Sequence, residues 1–200
     1  SAYNERDESD FVVNRLREWI DQGNARTDSA ILYRSNAQSR VLEESLINAQ
    51  IPYKIYGGLR FFERSEIKDA LAYLRLISNQ DDDSSFERIV NKPTRGIGAR
   101  TIEIIRSYSR ENACSLWQAT NTILNQSTSN RAKKSLNDFI SLIRRMASEV
   151  ENMNLHDTVD NVIHLSMLID FYKKEKGDKG ETRIENLAEL VSASKSFEIY

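Results

Sequence analysis

Apolar residues recur at helical spacing along most of this chain, and this periodicity constrains its fold more than any other feature. Between Ser65 and Ile77 the stripe follows a serine that suits a helix N-cap, and it contains Ile67, Ala70, Leu71, Leu74 and Ile77. Similar spacing predicts helices over residues 10–19, 39–50, 85–91, 99–111, 115–125, 129–152, 156–165 and 182–198. Only seven glycines and two prolines occur in 200 residues, which disfavours many-turned β architectures. We predict a mainly α-helical chain.

The beginning of the chain shows a second pattern. Residues 29–34 form a short apolar run typical of a buried strand, and residues 53–56 alternate like a second strand. Helix, strand, helix and strand in this order indicate part of an α/β layer, too short to close a full parallel sheet. By pattern alone, residues 1–80 therefore differ from residues 81–200, and we predict a partial α/β layer followed by a helical part of the chain.

Composition excludes several classes of site. The single cysteine, Cys114, rules out an intramolecular disulfide, and the two histidines are too few for a classical Cys/His zinc site. We expect no metal site. No apolar run approaches the roughly 20 residues of a membrane helix, and we expect neither a signal peptide nor a membrane partner. The formal net charge of −2 means that any nucleic-acid site must be a local basic patch.

The most informative short motif is a glycine-containing turn before a predicted helix, Thr94-Arg95-Gly96-Ile97-Gly98-Ala99-Arg100-Thr101. Its glycines permit a tight turn and a close approach of the backbone to a ligand. The helix that follows directs unpaired N–H groups outward. Five basic residues between Lys92 and Arg110 stand against Glu103 alone. The motif predicts a phosphate site, and an ordinary helix corner with solvated arginines is the alternative.

A charged loop over residues 173–183 is a second candidate for phosphate binding. It contains Lys176, Gly177, Lys179, Gly180, Thr182 and Arg183. Its glycines and lysines suit a phosphate backbone, and its threonine offers a hydroxyl donor. The alternative is a mobile, solvated loop, since the Gly-Lys-Ser/Thr ending of a Walker A loop is missing.

Tyr33 and Arg34 end the first predicted strand, where α/β proteins place ligand contacts. The ring suits stacking on a base and the guanidinium suits a phosphate, although tyrosines at strand ends are also common structural residues. The carboxylates form no convergent pair. We expect those in helices on exposed faces: Glu43, Glu44, Glu63 and Glu66. No self-contained active site is evident.

Several longer motifs resemble those of the UvrD/PcrA/Rep-type superfamily 1 DNA helicases. The first, Ala30-Ile31-Leu32-Tyr33-Arg34-Ser35-Asn36-Ala37-Gln38-Ser39-Arg40, resembles motif IV of that family. Further matches are Ile51-Pro52-Tyr53, Tyr56-Gly57-Gly58-Leu59-Arg60-Phe61-Phe62-Glu63-Arg64, Glu66-Ile67-Lys68-Asp69-Ala70, Thr94-Arg95-Gly96-Ile97-Gly98 and Thr182-Arg183-Ile184-Glu185-Asn186-Leu187. They follow the order and spacing of the family over essentially the whole chain.

The resemblance implies a division into motor subdomains. In this family two RecA-like subdomains, 1A and 2A, each carry a helical insertion, 1B or 2B. Residues 1–75 resemble the first part of 2A, and residues 76–200 resemble much of 2B. In the intact parent, Tyr33 would stack near the adenine of ATP and Arg34 would reach the γ-phosphate, with Mg²⁺ as cofactor. The parent would be a bacterial, cytoplasmic, ATP-dependent 3′→5′ helicase of repair and replication.

The resemblance also implies contacts with duplex DNA and with junctions of single and double strands. The implied residues are Arg95, Gly96, Ile97, Gly98, Arg100 and Thr101 in the turn, and Lys176, Gly177, Lys179, Gly180, Thr182 and Arg183 in the loop. The Walker A loop, the Walker B acidic pair and the second γ-phosphate arginine are absent from this sequence. We therefore expect this chain alone to hold no nucleotide and to be inactive as an ATPase. The alternative function is a regulatory module that docks the rest of the helicase or DNA-repair proteins.

Overall fold

The computed structural model describes residues 4–56, 58–125 and 130–195, the side chains of residues 130–132 excepted. Gly57 of the Tyr56–Arg64 motif, residue 129 and residues 196–198 of the predicted helices lie outside the described residues. The chain divides into two compact units, Ser1–Arg64 and Ser65–Tyr200. This division precedes the predicted boundary at residue 75, and the helix that begins at Ser65 packs against four helices of the second unit.

The first unit contains two α-helices, α1 (Glu5–Asp21) and α2 (Ser39–Asn48). Short 3₁₀ turns occupy Arg26–Asp28, Asn36–Gln38 and Phe61–Glu63. The Asn4 side chain accepts a hydrogen bond from the Asp7 N–H at 2.8 Å and so caps α1. Two polar contacts join the helices, from Ser45 Oγ to Asp10 at 3.0 Å and from Ser9 Oγ to the Val41 carbonyl at 3.1 Å.

The two segments predicted as strands are extended but unpaired. Exposure alternates residue by residue along residues 29–34 and 51–56, as it does in a pleated strand. Within the described ranges, however, no β-ladder forms, so the predicted strands and the α/β layer they would build are not shown by this structure. A strand needs a neighbouring strand to satisfy its backbone groups, and neither segment has one here. Leu32 and Tyr56 consequently remain 93% and 83% exposed.

The second unit contains eight α-helices among its described residues. They are α3 (Ser65–Ser78), α4 (Asp83–Ile89), α5 (Ala99–Asn112), α6 (Leu116–Asn125), α7 (Asn130–Glu149), α8 (Leu155–Leu165), α9 (Leu168–Tyr172) and α10 (Asp178–Lys195). Helix α3 is central, since it packs against α4, α7, α8 and α10. Of the apolar stripe predicted for this helix, Ile67 and Ala70 are fully buried, whereas Leu71, Leu74 and Ile77 are half-buried. Tyr73 and Leu76, outside that stripe, complete the buried face.

Sequence periodicity located every predicted helix to within a few residues, and the prediction of a mainly α-helical chain is confirmed. Three features differ from expectation. Helix α1 begins at Glu5 rather than at residue 10. Helix α9 was not predicted, because its five residues are too few for a periodic stripe. Helix α10 begins at Asp178 rather than at residue 182, so the second half of the predicted charged loop is helical. In the part of the chain that is described, no helix has the length and apolarity of a membrane span.

Candidate functional site

The glycine turn, defined here as residues 94–98, leads directly into the N-terminus of α5. Gly96 has φ +76°, a conformation that favours glycine, and Ile97 is buried beneath the turn. The Asn91 side chain shapes the turn from within, since its Oδ1 accepts hydrogen bonds from the N–H groups of Arg95 at 2.8 Å and Ile97 at 3.3 Å. Gly98 occupies the N-cap position without a side-chain cap. Sequence reasoning missed Asn91, although asparagine is a typical turn residue.

Gly98 differs from Gly96 in what its backbone requires. Its φ of −80° and ψ of 164° suit any residue, and a Cβ built there meets no atom within 4 Å. Nothing within the described part of the chain therefore demands glycine at this position. The surface in front of the α5 N-terminus is open, so a bound ligand has room to approach the backbone.

Arg95 lies beneath the turn, in contact with protein groups. Its guanidinium donates to the carbonyls of Ile89 at 3.0 Å and Pro93 at 3.1 Å and to the Tyr73 hydroxyl, and it lies 5.4 Å from the Phe139 ring centroid. Burial raises the pKa of Tyr73 to about 12, so this hydroxyl stays protonated. The sequence placed Arg95 beside a phosphate, whereas the structure gives its donors internal acceptors.

Most of the basic residues counted between Lys92 and Arg110 are neutralised. The ion pairs are Lys92–Asp69 at 2.7 Å, Arg106–Glu87 at 2.5 Å, Arg106–Glu103 at 3.4 Å and Arg110–Glu103 at 2.9 Å. The hydrogen bond from Arg106 lowers the pKa of Glu87 and keeps that carboxylate charged. Arg100, in the first turn of α5, is exposed and has no ion pair among the described residues. Judged on the described residues, the basic patch therefore reduces to one guanidinium without an ion pair, at a helix N-terminus.

The lysine segment, defined here as residues 173–179, joins α9 to the first turn of α10. Lys176 and Lys179 are exposed, and neither forms an ion pair within the described ranges. Gly180 is buried, and a Cβ there would lie 2.6 Å from the Tyr172 carbonyl oxygen. This glycine therefore permits α10 to pack against the end of α9. Thr182 Oγ1 donates to the Asp178 carbonyl at 2.9 Å, inside the helix.

Arg183 also points into the protein. It donates to Ser65 Oγ at 2.8 Å, pairs with Glu175 at 3.2 Å, and lies 5.0 Å from the Tyr172 ring centroid. Its Nη1 is 3.8 Å from Glu66, which is only 5% exposed. The prediction that Glu66 lies on an exposed face is wrong, because α10 covers the first turn of α3.

Asp69 is a fully buried carboxylate that sequence reasoning did not single out. Its Oδ1 lies 2.8 Å from Arg88 Nε, and its Oδ2 lies 2.7 Å from Lys92 Nζ. The Tyr172 hydroxyl donates to the same Oδ2 at 2.5 Å. Burial, followed by this hydrogen bond, raises the pKa of Tyr172 well above its ordinary value. A buried charge needs such partners, and Asp69 has three.

Tyr33 and Arg34 lie in the first unit, at the end of the extended segment. Tyr33 is half-buried and Arg34 is exposed. Gln38 Oε1 accepts hydrogen bonds from the N–H groups of Arg34 at 3.0 Å and Ser35 at 3.1 Å, which holds the backbone of this segment. In the described structure the Arg34 guanidinium has no ion pair, so it is available to an anionic ligand. Sequence reasoning had not assigned Gln38 a role.

Glu43 is buried, contrary to the expectation of an exposed helix face. It accepts hydrogen bonds from Ser39 Oγ at 2.8 Å, from the Tyr53 hydroxyl at 3.0 Å and from the Phe61 N–H at 3.2 Å. Burial and the Glu43 hydrogen bond raise the pKa of Tyr53 to about 12. The reason is that the chain after residue 52 folds back over α2. Glu44 is half-buried and Glu63 is exposed.

Metal binding has no geometric support in the described parts of the chain. No three histidine, cysteine, aspartate or glutamate side chains there form a group that could hold a metal ion. His156 and Cys114 are both half-buried.

Comparisons with known proteins match the whole chain. The model of the family described as UvrD-like helicase C-terminal domain covers residues 1–200. DNA helicase II of Escherichia coli (strain K12) is 56% identical over 197 residues, 98% of this chain. DNA helicase II of Haemophilus influenzae is 52% identical over 198 residues, and ATP-dependent DNA helicase PcrA of Bacillus subtilis is 40% identical over 196 residues, each over 98% of this chain.

The chain spans only part of these relatives, 27% of the length of the first two and 26% of the third. The matches nevertheless cover both units and all the motifs that carried the resemblance. The chain belongs to the UvrD-like helicase C-terminal domain family, which confirms the resemblance drawn from its motifs.

Proposed function

We propose that this chain is part of an ATP-dependent 3′→5′ DNA helicase that unwinds duplex DNA in repair and replication, and that its second unit binds duplex DNA. The observation that supports this most directly is the uncapped N-terminus of α5, with exposed Arg100 beside it and open space in front of Gly98. Family membership supplies DNA as the ligand class. The N–H groups of α5, Arg100 and Thr101 then contact the phosphates of one strand.

Binding at this site is independent of base sequence. Backbone N–H groups and a guanidinium recognise phosphate oxygens and do not read base edges. Lys176 and Lys179 provide further cationic contacts, with Gly177 between them, whereas Arg95, Gly180 and Arg183 support the fold around the site. The Thr182 hydroxyl donates its hydrogen bond within α10 rather than to DNA. Thr182 therefore belongs to the site only because it lies near these lysines.

A salt titration of duplex binding tests this proposal. Each phosphate contact contributes about 0.9 to the slope of log affinity against log salt. Arg100→Ala in the 200-residue chain should lower affinity for a blunt duplex and reduce the slope by about 0.9. Arg15→Ala is the matched control, since Arg15 is an exposed arginine of the first unit, and it should change neither quantity. Equal slopes for parent and Arg100→Ala would refute the assignment.

In the intact parent, the first unit supplies nucleotide contacts. Tyr33 stacks near the adenine, and Arg34 stabilises charge on the γ-phosphate, with Mg²⁺ held by other parts of the parent. We further propose that residues 29–34 and 53–56 become strands of a RecA-like 2A layer when neighbouring strands are present, since their exposure already alternates. Arg34→Ala in the parent should lower kcat by a factor on the order of 10³, whereas Tyr33→Ala should chiefly weaken nucleotide binding.

A second candidate function is docking of a protein partner, such as a repair protein or another part of the helicase. Ile104 is 49% exposed and, with Tyr108, lines a shallow groove along α5. Arg100, Glu103, Ser107 and Glu111 line the rest of this groove, and apolar side chains set among charged ones suit a protein surface. The salt titration separates the two functions, because docking on apolar side chains gives a shallow slope.

A further inference from the structure

The buried Asp69 carboxylate joins the two segments that we propose to contact DNA. Lys92 stands just before the glycine turn, and Tyr172 is the last residue of α9, immediately before the lysine segment. Although 80 positions separate these two residues, Lys92 Nζ and the Tyr172 hydroxyl meet at one oxygen, Asp69 Oδ2, at 2.7 and 2.5 Å. Arg88 pairs with the other oxygen.

Contacts on the turn side extend this junction toward α5. The Tyr73 hydroxyl donates to the Lys92 carbonyl at 2.7 Å and accepts from Arg95, whose guanidinium lies beneath the glycine turn. Lys92, Tyr73 and Arg95 thus form a continuous chain of contacts from Asp69 to the turn. A displacement of Lys92 would move the backbone that presents Arg100.

Contacts on the Tyr172 side extend the junction at Asp69 to the lysine segment. The Tyr172 carbonyl oxygen lies so close to Gly180 that a Cβ there would be 2.6 Å away, which leaves α10 no room to shift toward α9. Helix α10 carries Lys179 in its first turn, and Lys176 precedes it. The position of Tyr172 therefore determines where the lysine segment lies.

We propose that Asp69 is a positioning residue that holds the glycine turn and the lysine segment at a defined spacing, so that both engage the phosphates of one duplex. This inference rests on the proposed duplex binding. It adds a residue that fixes the spacing of the two segments that contact DNA. Asp69 itself, with 0% exposure, contacts no DNA. The competing interpretation is an ion pair that contributes only to folding.

Tyr172→Phe is the most selective test, since it removes one hydroxyl and keeps the ring. Tyr53→Phe is the matched control: it also removes a hydroxyl that donates to a buried carboxylate, Glu43, but in the first unit. Blunt-duplex affinity is measured against salt for both variants. Spin labels on Thr94→Cys and Lys176→Cys, in a Cys114→Ser background, report the distance between the two segments.

Positioning predicts three results for Tyr172→Phe. Duplex affinity should fall about three- to tenfold, the coupling expected between linked sites, and the salt slope should stay within error because no phosphate contact is removed. The distance distribution between the labels should broaden. Tyr53→Phe should leave affinity and distances unchanged. Asp69→Asn also removes the charge opposite Lys92 and Arg88. It should therefore lower duplex affinity and broaden the distance distribution more than Tyr172→Phe does.

The outcomes distinguish this inference from the proposed function. If Arg100→Ala reduces the salt slope while Tyr172→Phe keeps both the parental affinity and the parental distances, duplex binding stands and the positioning role is overturned. If Arg100→Ala changes nothing, duplex binding at this site fails and the positioning role fails with it. If Asp69→Asn does not fold, Tyr172→Phe decides the question by itself.

Discussion

The side-chain amide of Asn186 donates a hydrogen bond of 2.6 Å to Oε1 of Glu66, a residue 120 positions earlier in the chain. Both side chains are buried, at 2% and 5% exposure. The contact joins the middle of α10 to the first turn of α3, so two of the motifs that identify the family meet inside the second unit. Their shared role in this chain is to dock α10 onto the central helix.

Removing one partner of this pair should destabilise the second unit. Asn186→Ala leaves a buried carboxylate oxygen without its amide donor, at a cost of about 1–3 kcal/mol in the free energy of unfolding. A double-mutant cycle with Glu66→Ala, followed by urea unfolding, should give a coupling energy of about 0.5–3 kcal/mol. The same cycle on the exposed pair Arg15–Glu18 should give a much smaller coupling energy. Additive effects at Glu66 and Asn186 would show that the contact is not stabilising.

Arg95 should affect stability rather than the electrostatics of DNA binding. Arg95→Lys removes the guanidinium that reaches the Ile89 and Pro93 carbonyls and the Tyr73 hydroxyl, and should lower the free energy of unfolding by about 1–3 kcal/mol. The salt slope of duplex binding should remain parental for the folded variant. A slope reduced by about 0.9 would instead mean that Arg95 contacts a phosphate.

Substitutions at the two glycines of the turn should separate folding from ligand approach. Gly96→Ala forces an alanine to φ +76° and should cost about 1–2 kcal/mol in stability. Gly98→Asn places a favoured N-cap residue in an ordinary conformation, so stability should be unchanged or higher. Its bulk should still reduce duplex affinity several-fold by blocking the approach to α5. Parental affinity for a folded Gly98→Asn variant would contradict a close contact there.

Asp82 should make a pH-dependent contribution to stability as the N-cap of α4. Hydrogen bonds from Ser85 Oγ at 2.7 Å and Ser85 N–H at 3.0 Å lower the pKa of Asp82 below its ordinary value of 3.8. A lowered folded-state pKa means that the contribution is complete above the unfolded pKa and is lost as pH falls through the folded value. Asp82→Ala should thus cost about 1 kcal/mol at pH 7 and progressively less below pH of about 4.

Asp82→Asn provides the control for this pH dependence. Asparagine caps helices as well as aspartate but does not titrate, so the difference between Asp82→Asn and Asp82→Ala should be constant with pH. The measurement is urea unfolding between pH 3 and pH 7. A stability difference between the parent and Asp82→Ala that grows on acidification would contradict a lowered pKa of Asp82 in the folded state.

Ala113 should be a site where glycine stabilises the chain. It ends α5 in the left-handed region, with φ 47° and ψ 45°, where a Cβ is unfavourable. Ala113→Gly should raise the free energy of unfolding by about 0.5–1 kcal/mol. Ala188→Gly, on the exposed side of α10, should lower it by a similar amount. Thermal unfolding followed by circular dichroism compares the stability of the two variants. A lower stability of Ala113→Gly than of the parent would mean that α5 does not end as described.

Local sequence was sufficient to locate the described helices other than α9, and to find the motifs. The stripe behind Ser65 gave α3, and helix formation depends mainly on residues three and four positions apart, which the sequence displays directly. The motifs around Tyr33, Gly96 and Arg183 likewise indicated the family, because their spacing is a property of the linear chain. The glycine turn before α5 was predicted on the same local grounds.

Only the tertiary structure decided which charges face solvent and which are enclosed. In the sequence, Lys92, Arg95 and Arg106 form one basic patch with Arg100. The fold gives the first three internal or paired partners, whereas Arg100 has no ion pair within the described part of the chain. Their partners come from α3 and α4 and from loop carbonyls, which no local pattern identifies. Glu43 and Glu66 became buried for the same reason, since burial depends on what another segment of the chain places over a helix face. Strand pairing is also non-local: residues 29–34 and 53–56 have strand-like alternation, and a hydrogen-bonded ladder requires a neighbour that local sequence cannot supply.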